Sequence, residues 1–244
     1  EVPLVTRSER NSGCRAPATI QAQLVANATS LENGRTVVVR NGGRLTLQSV
    51  AVRGNRSGGA LVRDAQLTLM ASTIEANSTP AGASGAGVVL EGGTLVLQDS
   101  RMAANVAGAN GGAVFCSVGT KFTSMVVVSG TSSLEDNRAN HGGAVYLFHG
   151  CTLSVDDEAA FVGNAAILDG GAVGTEPAGD APASGNQVVL RDTPLFSGNR
   201  AGRDGGAIEI DVGNDLESRS GSLPRFEGNA SSRAGGALHV GGGG

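Results

Sequence analysis

The side chains best able to do chemistry are few and dispersed. Asp156, Asp157 and Glu158 stand together in VDDEAA (155–160). Adjacent carboxylates can serve as general acid and base, or hold Ca²⁺. Here they follow a short alternating segment, and they read as a solvated turn. Asp169 and Asp204 each precede a Gly-Gly pair. The residues at the same place elsewhere are Asn110, His141 and Ala234, which describes a generic polar turn position. His141 and His149 are close in HGGAVYLFHG, but no acidic pair lies in a matching frame. His239 is isolated near the end of the sequence. GASGAG (82–87) lacks the Lys-Ser/Thr that a phosphate-cradling loop needs. No nucleophile, base and orienting group occur at a suggestive spacing. The sequence therefore leads us to expect no catalytic residue, no metal site and no cofactor.

The three cysteines, Cys14, Cys116 and Cys151, form no CxxC pair, so there is no zinc-ligand spacing. Cys116 and Cys151 lie in neighbouring repeats. They could form one disulfide across a loop, or remain free thiols.

Composition narrows the architecture. The 244 residues are 40% hydrophobic, yet include no Trp, one Tyr and only six Phe, against 39 Gly. Aromatic rings cannot fill a thick globular core at that level, so the interior must be thin and built from aliphatic residues. The net charge is −4, with Lys121 the single lysine. A mildly acidic chain with scattered Arg has no electrostatic footprint for nucleic acid. No apolar run reaches the roughly 18–20 residues that span a bilayer, so no direct membrane insertion is expected.

The elements that must position these residues come from an internal repeat. FVGNAAILDGGAV (161–173) returns as FSGNRAGRDGGAI (196–208) and FEGNASSRAGGAL (226–238). The Asn of this phrase recurs at Asn55, Asn77, Asn105, Asn137, Asn164, Asn199 and Asn229, with gaps of 22, 28, 32, 27, 35 and 30 residues. Three residues before each stands an apolar side chain: Val52, Ile74, Met102, Leu134, Phe161, Phe196 and Phe226. After each comes a short bridge and a Gly-Gly-Ala-aliphatic phrase, degenerate at Gly85-Ala86-Gly87. Between phrases lie alternating segments such as QLTLM (66–70), TLVLQ (94–98) and MVVVS (125–129). Alternation of this kind predicts short half-buried strands, and nothing sustains a helical period.

Three short strands and three turns in about 30 residues make one coil of a parallel β-helix. The sequence thus predicts an all-β, single-stranded parallel solenoid of about seven to eight coils, stacked about 4.8 Å apart. Stacking sets each position beneath its counterpart. The seven apolar residues should form an inward core stack, and the seven Asn a hydrogen-bonded ladder. Gly-Gly should allow a corner with positive φ. The insert GTEPAGDAPASGN (174–186) reads as an exposed loop. Residues 1–36 lack the phrase and read as an irregular first coil and cap. Residues 37–244 are repeats, expected to continue beyond Gly244. Sequons begin at Asn27, Asn55, Asn77 and Asn229. A ladder Asn cannot carry a glycan, which leaves Asn27 as the candidate glycan site.

The pairing of Phe-x-x-Asn with Gly-Gly-Ala-aliphatic resembles the repeats of polymorphic outer membrane proteins, surface-exposed passenger domains of chlamydial autotransporters. Similar repeats occur in large extracellular proteins of other organisms. The resemblance covers about residues 52–240. It implies a right-handed parallel β-helix at a cell surface, with adhesive or structural roles and no catalysis. The open ends of a β-helix carry unpaired strand edges, so the expected partners are proteins or further repeats at the coil ends, together with cell-surface glycans. A polysaccharide lyase or hydrolase is the alternative, because such enzymes also use this fold.

Overall fold

A computed structural model describes residues 4–6, 18–21, 37–178 and 185–241. Most of the expected cap, Asn27, Cys14 and the middle of the 174–186 insert lie outside these residues. Among the described residues every element is a β-strand and every pairing is parallel. None of them forms a helix long and apolar enough to cross a membrane.

The strands form a solenoid. One sheet has seven strands, from Ala51–Arg53 to Arg225–Glu227, stacked in chain order. Seven strands one coil apart enclose about six full turns, slightly fewer than the seven to eight coils expected. The largest sheet has fifteen strands in two limbs. One limb follows the Gly-Gly-Ala phrase (Val114–Ser117, Val145–Phe148) and the other is the alternating segment (Ser124–Ser129, Cys151–Val155). In two coils these limbs fuse into one eleven-residue strand, Ala60–Met70 and Val88–Gln98. The first bends at Asp64, whose φ is 47° and where the in-out alternation slips by one residue. A third sheet is an addition to the expected three strands per coil. It stacks the two-residue strands Arg138–Ala139, Ala165–Ala166, Arg200–Ala201 and Ala230–Ser231 just after the Asn.

Like sits over like in the core. Val37, Ala60, Val88, Val114, Val145, Val173 and Ile208 make one fully buried file. Leu45, Leu67, Leu95, Val126, Leu153 and Val188 make a second. The register also corrects one alignment. Ala60, not Leu61, occupies the aliphatic file, so the first Gly-Gly-Ala phrase is displaced by one residue from the others. Burying such files continuously removes apolar surface from water at about 25 cal/mol per Å², and a thin interior suffices because each coil covers the next.

The two glycines of the phrase do different work. Gly170 has φ 65°, a left-handed turn that costs a side-chain-bearing residue about 1–2 kcal/mol. Gly171 has no such φ, but a Cβ there would overlap the carbonyl of Gly206 in the next coil. One glycine turns the chain, and the other lets neighbouring backbones approach.

Candidate functional site

The seven Asn form a single file, and six of the seven are buried. Each Nδ2 donates to Oδ1 of the next: Asn55 to Asn77 at 2.7 Å, and Asn77, Asn105, Asn137 and Asn164 each to the next at 3.0 Å. Asn199 donates to Asn229 at 2.9 Å. The same Oδ1 also accepts the backbone N–H of the preceding Asn, as in Asn137 to Asn164 at 3.0 Å. The second hydrogen of Nδ2 goes to the carbonyl of the core-stack residue one coil back. Asn164 donates to Leu134 at 2.8 Å and Asn199 to Phe161 at 2.9 Å. An interior amide thus has both hydrogens and both lone pairs engaged.

Val52, Ile74, Met102, Leu134, Phe161 and Phe196 are wholly buried in register, with Phe226 partly buried at the last coil. The Phe161 and Phe196 rings stack at 4.9 Å, and Phe196 and Phe226 at 5.0 Å, matching the strand spacing. Cys116 and Cys151 form a disulfide with a Cα–Cα distance of 6.3 Å. It is buried and ties one limb of a coil to the other limb of the next.

The acids singled out in the sequence are scattered. Asp156 pairs with Arg191 at 2.9 Å and accepts from the Ser154 hydroxyl. Asp157, one residue on, accepts the Gly130 N–H at 2.7 Å. Asp169 and Asp204 do stack, but each is tied up by the following coil. Asp169 takes the Arg203 guanidinium and the Asp204 N–H, and Asp204 takes the Arg233 guanidinium and the Ala234 N–H. His141 lies 3.3 Å from Asp169. Burial lowers the imidazole pKa despite the pull of Asp169, so the pair is a contact of a neutral ring and not an ion pair.

One file that points away from the core departs from the repeat, and its Tyr146 and Glu209 are themselves covered, at 3% and 6% exposure. Two residues after each Ala of the phrase come Phe115, Tyr146, Gly174, Glu209 and His239. Phe115 pairs with Tyr146 in register, and Glu209 with His239. Gly174 presents no side chain between Tyr146 and Glu209. The Phe115 ring stands 6.3 Å from Tyr146 and 5.9 Å from Phe148, and His141 lies 5.8 Å from Tyr146. The Tyr146 hydroxyl donates to Glu176. Burial and that carboxylate both push the phenol pKa up. Burial, reinforced by Asp211, pushes the Glu209 carboxyl up to about 8. Chemically, this is an aromatic platform beside a carboxyl that stays protonated at neutral pH. Sequence reasoning missed Phe115, Tyr146, Glu176, Glu209 and Asp211. The signal was available in the column two places past each repeat Ala, where aliphatic residues give way to aromatic and charged ones.

A coil stack locked by an Asn file and a backbone close approach defines a class: a repeat-built parallel solenoid whose recurrent residues are structural. The family model of the Chlamydia polymorphic membrane protein (Chlamydia_PMP) repeat matches residues 195–211. That stretch holds Phe196, Asn199 and Gly205-Gly206-Ala207-Ile208. The short match and the solenoid together fit a polymorphic-membrane-protein-type repeat β-helix protein. No curated protein and no solved structure matches the chain.

Proposed function

We propose that the chain is a non-enzymatic surface module that adheres through its outward faces and is one segment of a larger surface protein or filament. The family of the matched repeat and the solenoid fold fit a surface β-helix module. The observation that carries the adhesive reading is the division of labour between the two sides of the strands. Recurrent Asn, Gly and core-stack residues are engaged in holding coil to coil, whereas solvent-facing residues such as Arg44, Gln66, Thr94 and Met125 differ from coil to coil along one outward file. A face free to vary on a fixed scaffold suits recognition. The Cys116–Cys151 disulfide supports an oxidising, extracellular setting. The strands Arg225–Glu227 and Leu238–Val240 each have a bonded neighbour on one side only among the described residues. Such edges pair readily with another repeat or a protein strand.

The test is adhesion of beads coated with the purified chain to cells and to immobilised matrix glycans. Coated beads are expected to bind more than uncoated beads, and equal binding would overturn the reading. One observation favours the alternative, a polysaccharide hydrolase: a protonated Glu209 carboxyl beside Asp211 could act as a general acid. Release of reducing ends from polysaccharide by the wild type, abolished in Glu209→Gln, would establish that reading.

A further inference from the structure

A second outward site lies away from the Tyr146–Glu209 face. The loop 118–123 separates the two limbs of its coil and folds back over earlier coils. The Thr120 hydroxyl and the Lys121 N–H both donate to Asp64, 56 and 57 residues earlier in the chain. Anchored there, the loop holds Phe122 over the strand face, with the residue 53% exposed. Beneath it is a cavity of about 220 Å³ lined by Arg44, Gln66, Thr94, Asp64, Phe122 and a floor of glycines.

Arg44, Gln66 and Thr94 are consecutive rungs of one outward file. Among the described residues their side chains have no hydrogen bond or ion pair. Two other outward arginines are paired, Arg63 with Glu91 and Arg101 with Glu75 and Glu135. The cavity therefore presents a guanidinium, an amide and a hydroxyl, one strand spacing apart, beside an exposed aromatic ring. Its one carboxylate, Asp64, is already engaged, and the Thr120 hydroxyl holds it below the usual carboxylate range. It stays ionised and supplies no acid for chemistry, so the site can bind but has no general acid.

We propose that this cavity binds one residue of a carboxylated saccharide, with the Arg44 guanidinium on the sugar carboxylate, Gln66 and Thr94 on its hydroxyls, and Phe122 against the apolar face of the ring. Arg is the side chain whose planar fork matches a carboxylate in two parallel bonds. The volume takes a single sugar ring and not a drug-sized ligand. This inference rests on the adhesive reading and names the partner class for it.

The experiment is titration of the purified chain with tetragalacturonate, its methyl ester, 3′-sialyllactose and polyacrylate. Binding of a carboxylated saccharide, weakened about tenfold or more by Arg44→Gln and by Phe122→Ala separately, is the expected result. The methyl ester should bind as weakly as Arg44→Gln binds the acid. A response to tetragalacturonate identifies a uronate source, and a response to sialyllactose a sialylated one. Both residues are exposed, so the variants should keep the wild-type melting temperature. Equal binding of polyacrylate, or affinity unchanged in both variants, overturns the site. If wild-type beads adhere to cells but the chain binds no carboxylated saccharide, the site is wrong and the adhesive reading stands. If wild-type beads do not adhere, the adhesive reading itself has failed.

Discussion

Asn164 donates its side-chain N–H to Oδ1 of Asn199, 35 residues further along the chain, at 3.0 Å. Its backbone N–H reaches the same oxygen, also at 3.0 Å. Two donors on one acceptor, repeated at each rung, make the ladder a stability element with a testable cost. Asn164→Ala strands the Asn137 donors and the Leu134 carbonyl in the interior. We expect a loss of about 1–3 kcal/mol, read as a lower urea midpoint. Asn229→Ala, at a partly exposed rung with no further Asn above it among the described residues, should cost less. Equal losses would show that the ladder bonds are not what the substitution removes.

The residue before each ladder Asn has positive φ in all seven coils, and in three it is not glycine: Ala76 at 52°, Ala104 at 52° and Asp136 at 51°. Ala76→Gly and Ala104→Gly should each stabilise the fold by about 0.5–1 kcal/mol, since relief of left-handed strain exceeds the entropy cost of glycine. The reverse change, Gly198→Ala, meets no neighbouring atom and should cost about 1 kcal/mol from φ alone. Gly171→Ala collides with the next coil and should cost about 3 kcal/mol or more. Thermal unfolding of the four variants checks the order.

The Cys116–Cys151 bond closes a loop with a sequence separation of 35, and both residues are buried. Its removal by a double change to Ala should cost about 4 kcal/mol on the chain-entropy model. Native protein treated with reductant and an alkylating reagent should leave both cysteines unlabelled until denaturant is added. Labelling under native conditions would mean that the limbs open at this point.

Glu209 couples stability to pH. Its carboxyl titrates near 4.5 in an unfolded chain and at about 8 in the fold. Between these values the folded chain retains a proton that the unfolded chain has released, so stability falls as pH rises through that window. Glu209→Gln mimics the protonated acid and should flatten the fall. Urea midpoints at pH 4.5 and pH 8 give the slope for each protein, and equal slopes would show an ionised Glu209 in the native state.

Stacking explains what could be read from the sequence. Because Phe161, Phe196 and Phe226 occupy one environment three times over, the chain repeats itself and the coil length appears as a spacing. The Asn file and the Gly-Gly corner are legible for the same reason. Other features were not. The third sheet sits inside the repeat phrase, where a small residue recurs at Ala139, Ala166, Ala201 and Ser231, but a two-residue strand is too short to show alternation. The fusion of limbs in Ala60–Met70 was hidden because only 66–70 shows a strand period, while Asp64 bends the continuous strand and slips the alternation by one residue. The pairing of Thr120 with Asp64 depends on a loop turning back across coils, which no local pattern records. Tyr146 and Glu209 face each other across Gly174 only once the unequal coil lengths are known.

The carboxamides of the Asn file all point the same way. Every donor belongs to the earlier coil and every acceptor to the later one. Aligned dipoles add, and bonds in series polarise one another. The rod is therefore vectorial, as a microtubule or a magnet is. One terminus must be met by a group that gives protons to the file and the other by a group that takes them, so any join made through this file is head-to-tail, and two like termini cannot mate by it.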